Sequence, residues 1–290
     1  MNIILTGSTG FVGARVLYQL QKEGYAVTCI PSEMLKGDIS DKQLLSLMRI
    51  FAEANPDVIV HTAAISSTVY SEQHPDESYI ANVKLPQVMA KLAVANQCKL
   101  ISCSSDQVYC GCTGIEPYSE KEEGLAPTNV YGRHKLEAEK RILDICPDAV
   151  SLRLSWMYDL PVYQTKTNHS FVLALIKSAL TGKAVIYSVN DFRGITYVRS
   201  VAENISKTFN LVGGVYNYGS ENEKNMYATA CVFMVAMGME NRIPELIQLT
   251  DAQPLRNLRM DCTKLRGCDI HFETTTESIN KMIADYTGLF

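Results

Sequence analysis

Short apolar runs alternate with helix-like patterns through the first half of the chain. Five runs of mostly apolar, often β-branched residues predict buried strands, and the segments between them carry apolar residues at helical spacing. This alternation is typical of a doubly wound parallel sheet with helices on both faces, the Rossmann-type α/β architecture. The predicted strands cover residues 2–6, 26–30, 58–61, 99–103 and 150–154.

The alternation becomes less regular beyond the fifth predicted strand. The later chain is richer in Tyr, Asn and Gly, notably in 165–168, at Gly182 and in 217–225, which favours long loops that could close over a ligand. We therefore predict a first domain over residues 1–158 and a smaller mixed α/β region over residues 159–290. Some segments of the second region are expected to return and pack on the first domain.

Composition argues against several classes of protein. The chain has 290 residues, a net charge of −4 and scattered basic residues, so we expect no nucleic-acid surface. No apolar run reaches the roughly 18 residues of a membrane span, and the first residues lack the features of a secretory signal. Nine cysteines favour free thiols in a reducing compartment, which predicts a cytoplasmic protein. The one close pair, Cys110 and Cys112, lacks suitably spaced further ligands, so we expect no metal site.

A glycine-rich turn follows the first predicted strand immediately. Gly7, Gly10 and Gly13 recur at intervals of three residues and open a helix-like pattern. Glycines let the backbone approach a pyrophosphate closely, and the start of a helix favours negative charge. In this position the pattern predicts a dinucleotide-binding turn. The residues expected to contact the cofactor here are Gly7, Thr9, Gly10, Phe11, Val12 and Gly13.

The end of the second predicted strand bears on the choice between NAD and NADP. An acidic side chain there accepts hydrogen bonds from a ribose hydroxyl, whereas a basic one pairs with a 2′-phosphate. Glu33 favours NAD, but Ser32 and Lys36 are near enough in sequence to favour NADP. These residues therefore do not decide between NAD and NADP.

Tyr131 and Lys135 stand four residues apart, hence on one face of a predicted helix. A phenol with a pKa of roughly 10 is a poor acid–base group near neutral pH, and we expect the neighbouring ammonium to lower the pKa of Tyr131. Ser104 and Ser105 follow the fourth predicted strand, at the sheet edge where ligands bind in such folds. A serine there can donate to a carbonyl oxygen, so the pattern predicts acid–base catalysis.

Together these residues resemble the extended short-chain dehydrogenase/reductase family, and more closely its dTDP-4-dehydrorhamnose reductase branch. The likeness includes the Arg-x-Ser-Trp-x-Tyr stretch at 153–158 and covers nearly the whole chain. The resemblance implies that Ser105 is the catalytic Ser/Thr and that Tyr131 gives a proton to the substrate carbonyl. It further implies that Lys135 binds the nicotinamide ribose and tunes the tyrosine.

The same resemblance implies other contacts with cofactor and substrate. The loop after the third strand would line the cofactor, a Gly-Asp-Ile segment would meet its adenine, and the branch slightly favours NADPH. The cofactor contacts implied in this way are Asp38, Ile39, Ala63, Ala64, Tyr131 and Lys135. The implied substrate contacts are Ser105, Asp106, Gln107, Trp156 and Arg193.

The departures from the branch fall on substrate-side positions. Gln107 replaces a usual Tyr, and Tyr70 replaces a usual Asp. The segment 191–197 also differs, although Arg193 resembles the nucleotide-sugar-binding arginine of the wider family. The implied fold and cofactor therefore rest on more residues than the implied sugar.

The resulting hypothesis is an NAD(P)H-dependent reductase of a nucleotide-linked 4-keto-6-deoxy sugar. A nucleotide-sugar epimerase or dehydratase of the same fold is one alternative, which Gln107 directly after Asp106 weakens. A non-catalytic, NAD(P)-binding regulatory subunit is the other, because one relative in the branch has that role. The family often pairs subunits through two helices, here 75–96 and 129–145, so the resemblance also predicts a homodimer.

Overall fold

Twelve strands and twelve helices lie within the residues that the computed structural model describes, 1–160 and 171–287. The strands are β1 (Asn2–Thr6), β2 (Ala26–Ile30), β3 (Val58–His61), β4 (Lys99–Ser105), β5 (Val150–Leu154), β6 (Trp156–Tyr158), β7 (Val185–Ser188), β8 (Asp191–Arg193), β9 (Ile195–Tyr197), β10 (Gly214–Tyr218), β11 (Ile247–Thr250) and β12 (Arg256–Leu258). The helices are α1 (Phe11–Lys22), α2 (Asp41–Ala54), α3 (Thr68–Gln73), α4 (Pro75–Tyr79), α5 (Leu85–Ala95), α6 (Val130–Ile145), α7 (Phe171–Thr181), α8 (Val198–Glu203), α9 (Met226–Ala236), α10 (Ile243–Leu246), α11 (Thr263–Arg266) and α12 (Thr275–Thr287).

Six parallel strands form the central sheet in the order β10–β5–β4–β3–β1–β2. All five predicted strands are present, and β4 runs two residues further than predicted, to Ser105. The sixth strand, β10, comes from the later part of the chain and pairs with β5 at the sheet edge. The predicted Rossmann-type α/β fold is confirmed.

Alternate residues of the central strands fill two apolar cores, one on each face of the sheet. In β1, Ile3 and Leu5 pack on the face covered by α1 and α8, while Ile4 packs on the face covered by α2, α5 and α6. Burial on both faces explains why these strands are continuous apolar runs rather than alternating ones. The carboxyl ends of β1, β3 and β4 consequently meet at one edge, where the candidate site lies.

The predicted helix over 75–96 is interrupted by a π turn. α4 continues into the π turn Ile80–Lys84 and then into α5, which ends at Ala95. Such turns are frequent at functional sites, and this one directs the buried side chain of Asn82 inward.

Three two-stranded pairs, β6 with β9, β7 with β11 and β8 with β12, lie outside the central sheet. The first two pairs contribute to a separate apolar core with residues of α7, α9 and α12, whereas Leu258 of β12 packs with Val108 and Tyr109 in another cluster. The division into domains at residues 158 and 159 stays a prediction. The Tyr- and Asn-containing segment 165–168 lies outside the described residues.

All nine cysteines are free thiols. Within residues 1–160 and 171–287, no helix has both the length and the apolar character that crossing a membrane requires. The same residues contain no group of three or more His, Cys, Asp or Glu side chains arranged to hold a metal ion.

Candidate active site

The glycine turn between β1 and α1 forms an open cradle. Gly7 has a φ of +75°, and a Cβ there would lie 2.7 Å from the amide nitrogen of Ala63. A Cβ at Gly13 would lie 2.0 Å from the carbonyl oxygen of Gly7, so both positions require glycine. Gly10, the N-cap of α1, has no side chain with which to cap the helix. The start of α1 is therefore available to an anion, and a dinucleotide pyrophosphate fits this cradle.

The remaining predicted contacts on this turn lie at its rim and at the start of α1. Thr9 is exposed, and Phe11 and Val12 are partly exposed as the first residues of the helix. The Arg15 guanidinium lies 4.4 Å from the centre of the Phe11 ring and forms an ion pair with Asp159 at 2.9 Å. This pair, which the sequence analysis missed, ties the start of α1 to the chain that follows β6.

The loop after β3 lies against the glycine turn. Oγ1 of Thr62 donates to the carbonyl oxygen of Thr6 at 2.7 Å, and the N–H of Ala63 donates to Thr6 Oγ1 at 3.4 Å. The amide of Asn82 binds both backbone groups of the residue that follows Ala64. These bonds hold the predicted cofactor loop beside the cradle. Asn82 lies within the predicted helix 75–96, and its signal in the sequence was a polar residue inside an apolar pattern.

The predicted adenine end lies beyond β2. Asp38 is exposed and forms an ion pair with Lys84, and Ile39 packs against the core under α2 and α5. Ser32 and Glu33 are both exposed in the 3₁₀ turn that follows β2. The three residues that bear on the choice between NAD and NADP, Ser32, Glu33 and Lys36, are therefore all exposed on the surface.

α6 presents Tyr131 and Lys135 to the carboxyl end of β4. Both side chains are buried, and Nζ of Lys135 lies 5.8 Å from the centre of the Tyr131 ring. The same Nζ donates to the carbonyl oxygen of Cys103 at 2.8 Å, which fixes the ammonium against β4. Ser105, the last residue of β4, has its hydroxyl near enough to the Tyr131 phenol to lower the phenol's pKa. The structure thus brings the three predicted catalytic residues together.

Burial dominates the electrostatics of these three residues. It raises the pKa of the Tyr131 phenol above its ordinary value, and the nearby Ser105 hydroxyl opposes this only in part. Burial also lowers the pKa of Lys135 to about 8. In the chain alone the pKa of Tyr131 is therefore raised rather than lowered, because desolvation of the phenolate is the largest cause. The phenol is therefore protonated at neutral pH, as a proton donor must be.

His61, at the end of β3, is a buried neutral imidazole. Its Nδ1 lies 2.7 Å from Oγ1 of Thr6, and Nε2 has no hydrogen-bond partner among the described residues. Burial, and to a smaller extent the charge of Lys135, lowers the pKa of His61 to about 3. The imidazole therefore adds no second positive charge beside Lys135.

The predicted substrate-side residues cluster around one carboxylate. Oδ2 of Asp106 accepts a hydrogen bond from Nη2 of Arg193 at 2.5 Å, and the guanidinium lies 4.9 Å from the centre of the Trp156 ring. Oδ1 of Asp106 accepts from Oγ of Ser105 and from Nε2 of Gln107, both at 3.2 Å. The five residues therefore meet at the end of β4, although their roles toward a substrate stay predictions.

A second buried network lies behind the catalytic residues and was not predicted. Glu139 on α6 pairs with Arg153 on β5 at 2.7 Å and accepts from Ser104 at 2.5 Å. Nη1 of Arg153 donates to the hydroxyl of Tyr109 at 2.7 Å, and that hydroxyl donates to Asn217 Oδ1 at 2.8 Å. The network joins α6, β4, β5 and β10. Its signal in the sequence was a single charged residue, Arg153, inside a strand that is mostly apolar.

Named proteins resemble this chain over different lengths. It is 27% identical to the spore coat polysaccharide biosynthesis protein SpsK of Bacillus subtilis, over 83% of this chain and 81% of that protein. It is 33% identical to dTDP-4-dehydrorhamnose reductase of Mycolicibacterium smegmatis, over 54% of this chain and 46% of the reductase. It is 27% identical to methionine adenosyltransferase 2 subunit beta of Bos taurus, over 92% of this chain and 82% of that subunit.

Solved structures share the fold along the full chain. The dTDP-4-dehydrorhamnose reductase of Bacillus anthracis in complex with NADP superposes with a TM-score of 0.81 at 20% identity, covering 98% of each chain. The UDP-glucose 4-epimerase of Thermotoga maritima with UDP-glucose gives 0.81 at 18% identity, covering 100% of this chain and 99% of the epimerase. These likenesses confirm the fold, and the predicted resemblance to the reductase branch is confirmed by the family match. The family described as RmlD substrate binding domain matches residues 1–287, and the chain belongs to that family.

Proposed function

We propose that the protein is an NAD(P)H-dependent reductase of a nucleotide-linked 4-keto-6-deoxy sugar. The observation that carries this proposal is the meeting of Ser105, Tyr131 and Lys135 at the sheet edge beside the glycine cradle. The relatives named dTDP-4-dehydrorhamnose reductase and the NADP complex of one such enzyme support it.

The reaction requires a hydride for the carbonyl carbon and a proton for the carbonyl oxygen. Reduced nicotinamide, when bound, supplies the hydride. Tyr131, protonated because it is buried, gives the proton to the oxygen, and Ser105 donates a hydrogen bond to the same oxygen. Lys135, held by the Cys103 carbonyl, stabilises the phenolate that remains.

Arg193 and Trp156 form the proposed wall of the sugar-nucleotide site. The guanidinium lies over the indole face, and its Nε has no hydrogen-bond partner within the described part of the chain. A buried donor of this kind suits an anionic group of the substrate, because a charged acceptor would satisfy it.

The decisive experiment combines a substrate panel with Tyr131→Phe. The purified protein is incubated with NADPH or NADH and nucleotide 4-keto sugars while absorbance of the reduced nicotinamide is followed. Tyr131→Phe keeps the ring but removes the proton, so turnover should fall by about 10²–10⁴-fold with little change in cofactor affinity. Tyr18→Phe, on the exposed face of α1, is the matched control and should turn over normally. Wild-type turnover by Tyr131→Phe would remove this residue from the mechanism.

A regulatory subunit is the second candidate function. The relatives named methionine adenosyltransferase 2 subunit beta favour it, since they align with 92% of this chain, further than the reductase of Mycolicibacterium smegmatis does. Cofactor binding measured by isothermal titration together with no turnover across the whole panel would favour this second role over the first.

We also propose a cytoplasmic homodimer. The free thiols support the compartment, and the packing of α4, α5 and α6 side by side supplies the helix pair that the family uses between subunits. Sedimentation should give about twice the chain mass of 32.2 kDa at micromolar concentration, and a mass near 32.2 kDa would contradict the dimer.

A further inference from the structure

Gln107 lies between the two elements that carry the proposed catalytic residues. β4 ends at Ser105 and continues into the 3₁₀ turn Asp106–Tyr109, whereas α6 begins after its N-cap, Asn129. Gln107 is buried in this junction with 7% of its surface exposed. It is also the position at which the chain departs from the tyrosine usual in the branch.

Both polar atoms of the Gln107 side chain are bound within the protein. Nε2 donates to Oδ1 of Asp106 at 3.2 Å, and Oε1 accepts from Nδ2 of Asn129 at 3.0 Å. Oδ1 of Asn129 in turn accepts from the N–H of Gly132 at 2.7 Å. A continuous chain of hydrogen bonds therefore runs from Asp106 to the first turn of α6, one residue from Tyr131.

The backbone of Gln107 contacts the same two elements. Its N–H donates to Oγ of Ser105 at 3.2 Å. Its carbonyl oxygen packs against Gly132, where a Cβ would approach to 2.3 Å. Since Gly132 adjoins Tyr131, a shift of Gln107 would change the spacing between the Ser105 hydroxyl and the Tyr131 phenol.

Gln107 and Ser105 both donate to one oxygen of Asp106. In the structure the Ser105 hydroxyl donates to Oδ1 of Asp106, so it must turn away from that oxygen before it can donate to a substrate carbonyl. The amide of Gln107 donates to the same oxygen, so the amide, the carboxylate and the hydroxyl form one hydrogen-bonded group.

We propose that Gln107 is a positioning residue that couples the Ser105–Asp106 pair to the helix carrying Tyr131, rather than a contact of the substrate. This inference rests on the proposed reductase function. A carboxamide suits the position because its donor and its acceptor are separate atoms, one facing a carboxylate and the other an amide.

Three variants and a control test the coupling. Gln107→Met retains length but removes both bonds, and Asn129→Ser keeps a hydroxyl for the helix cap while losing the amide that reaches Gln107. Each should lower kcat by about tenfold with KM changed less, and the double variant should be no worse than either alone. Gln248→Met, at an exposed position on β11, should behave as the wild type.

Gln107→Glu separates positioning from simple packing through its pH dependence. The ionised carboxylate would repel Asp106, so kcat should be low at pH 8. A protonated carboxyl has a hydroxyl donor and a carbonyl acceptor in the places of the amide, and Asp106 raises the pKa of the introduced group. The kcat of this variant should therefore recover relative to wild type as the pH falls toward 5, whereas that of Gln107→Met should not. Identical relative profiles for the two variants, or wild-type kcat in both, would overturn the inference.

Amide hydrogen exchange tests the coupling through Gln107 without relying on enzymatic turnover. If the wild type reduces no sugar in the panel, the reductase proposal fails, but exchange at the Gly132 amide can still be measured by NMR in the cofactor-free protein. Gln107→Met should speed that exchange about tenfold relative to Gln248→Met, because the cap formed by Asn129 loses its anchor. An unchanged exchange rate would overturn the coupling itself.

Discussion

Two of the buried arginine–carboxylate pairs in this protein, Arg153–Glu139 and Arg193–Asp106, differ in how completely they are bonded. In the Arg153–Glu139 pair the side chains are 4% and 3% exposed, and in the Arg193–Asp106 pair they are 9% and 2% exposed. Arg153 binds Glu139 through Nε and Nη2 and the Tyr109 hydroxyl through Nη1. Arg193 binds Asp106 through Nη2 alone, and its Nε is unpartnered in the described part of the chain.

The difference separates a fully bonded pair from one that keeps a free donor, as the proposed sugar-nucleotide site requires. An unpaired buried donor costs about 1–3 kcal/mol, so proteins rarely retain one without a use. The fully bonded Arg153–Glu139 pair, here called the closed pair, lies behind β4 and α6. The Arg193–Asp106 pair, here called the open pair, lies beside Ser105 and over Trp156. Bonding that is complete in one pair and incomplete in the other therefore distinguishes the scaffold from the proposed binding surface.

Breaking the closed pair should give the largest effect on stability. Arg153→Met leaves Glu139 buried without its partner, which should lower the free energy of unfolding by about 3–5 kcal/mol. Urea denaturation measures the change. Arg242→Met, which breaks a half-exposed pair with Glu245, should cost under about 1 kcal/mol. An equal loss in the free energy of unfolding for the two variants would contradict the prediction that buried Glu139 needs Arg153 as its partner.

Acid should reveal the titration of His61, whose Nε2, like the Nε of Arg193, has no hydrogen-bond partner among residues 1–160 and 171–287. The folded pKa is about 3, below the ordinary 6.5, so the folded state binds fewer protons between these values. Stability is then full above pH 6.5 and falls as the pH drops toward 3, by up to about 1.4 kcal/mol per pH unit. His61→Asn removes this titration, so its stability at pH 4 relative to pH 7 should exceed that of the wild type by about 3 kcal/mol. Parallel pH profiles would contradict the low pKa of His61.

Breaking the open pair should affect ligand binding more than folding. Arg193→Met leaves Asp106 with hydrogen bonds from Ser105 and Gln107, so the stability loss should be about 1–3 kcal/mol, smaller than for Arg153→Met. Affinity for dTDP should fall by about 10–100-fold, since a charge-assisted bond is worth about 1.5–3 kcal/mol. Isothermal titration with the nucleotide checks this, and unaltered affinity would remove Arg193 from the proposed site.

Salt should produce the smallest effect and sharpen the comparison. Both pairs are shielded from solvent, so raising NaCl from 0.1 to 0.5 M should change the stability difference between wild type and Arg153→Met by less than about 0.5 kcal/mol. Denaturation at the two salt concentrations measures this difference. A larger change would mean that water and ions reach Glu139.

The regular part of the fold could be predicted from the sequence because its signals are local. Buried strands in a parallel sheet are continuous apolar runs, and their carboxyl ends locate ligand sites. For this reason the pattern found β4 and placed Ser105 at its end, and the four-residue spacing placed Tyr131 and Lys135 on one face of α6. Their meeting is observed, whereas their roles stay predictions.

The polar networks could not be predicted because their partners are distant in the sequence. Arg193 and Asp106 are separated by 87 positions, and Tyr109 and Asn217 by 108. Periodicity carries no information about such pairs. The raised pKa of Tyr131 could not be predicted for a related reason, since desolvation depends on burial by the whole fold.

The late strand β10 has a consequence for how the chain is made. Residues 214–218 complete the central sheet by pairing with β5, which ends at Leu154. On the ribosome, about sixty further residues must therefore emerge before β5 gains its outer neighbour, and until then its backbone N–H and C=O groups form an open sheet edge. Such edges invite pairing with other chains, so premature termination in this interval should give aggregating fragments rather than a smaller folded protein.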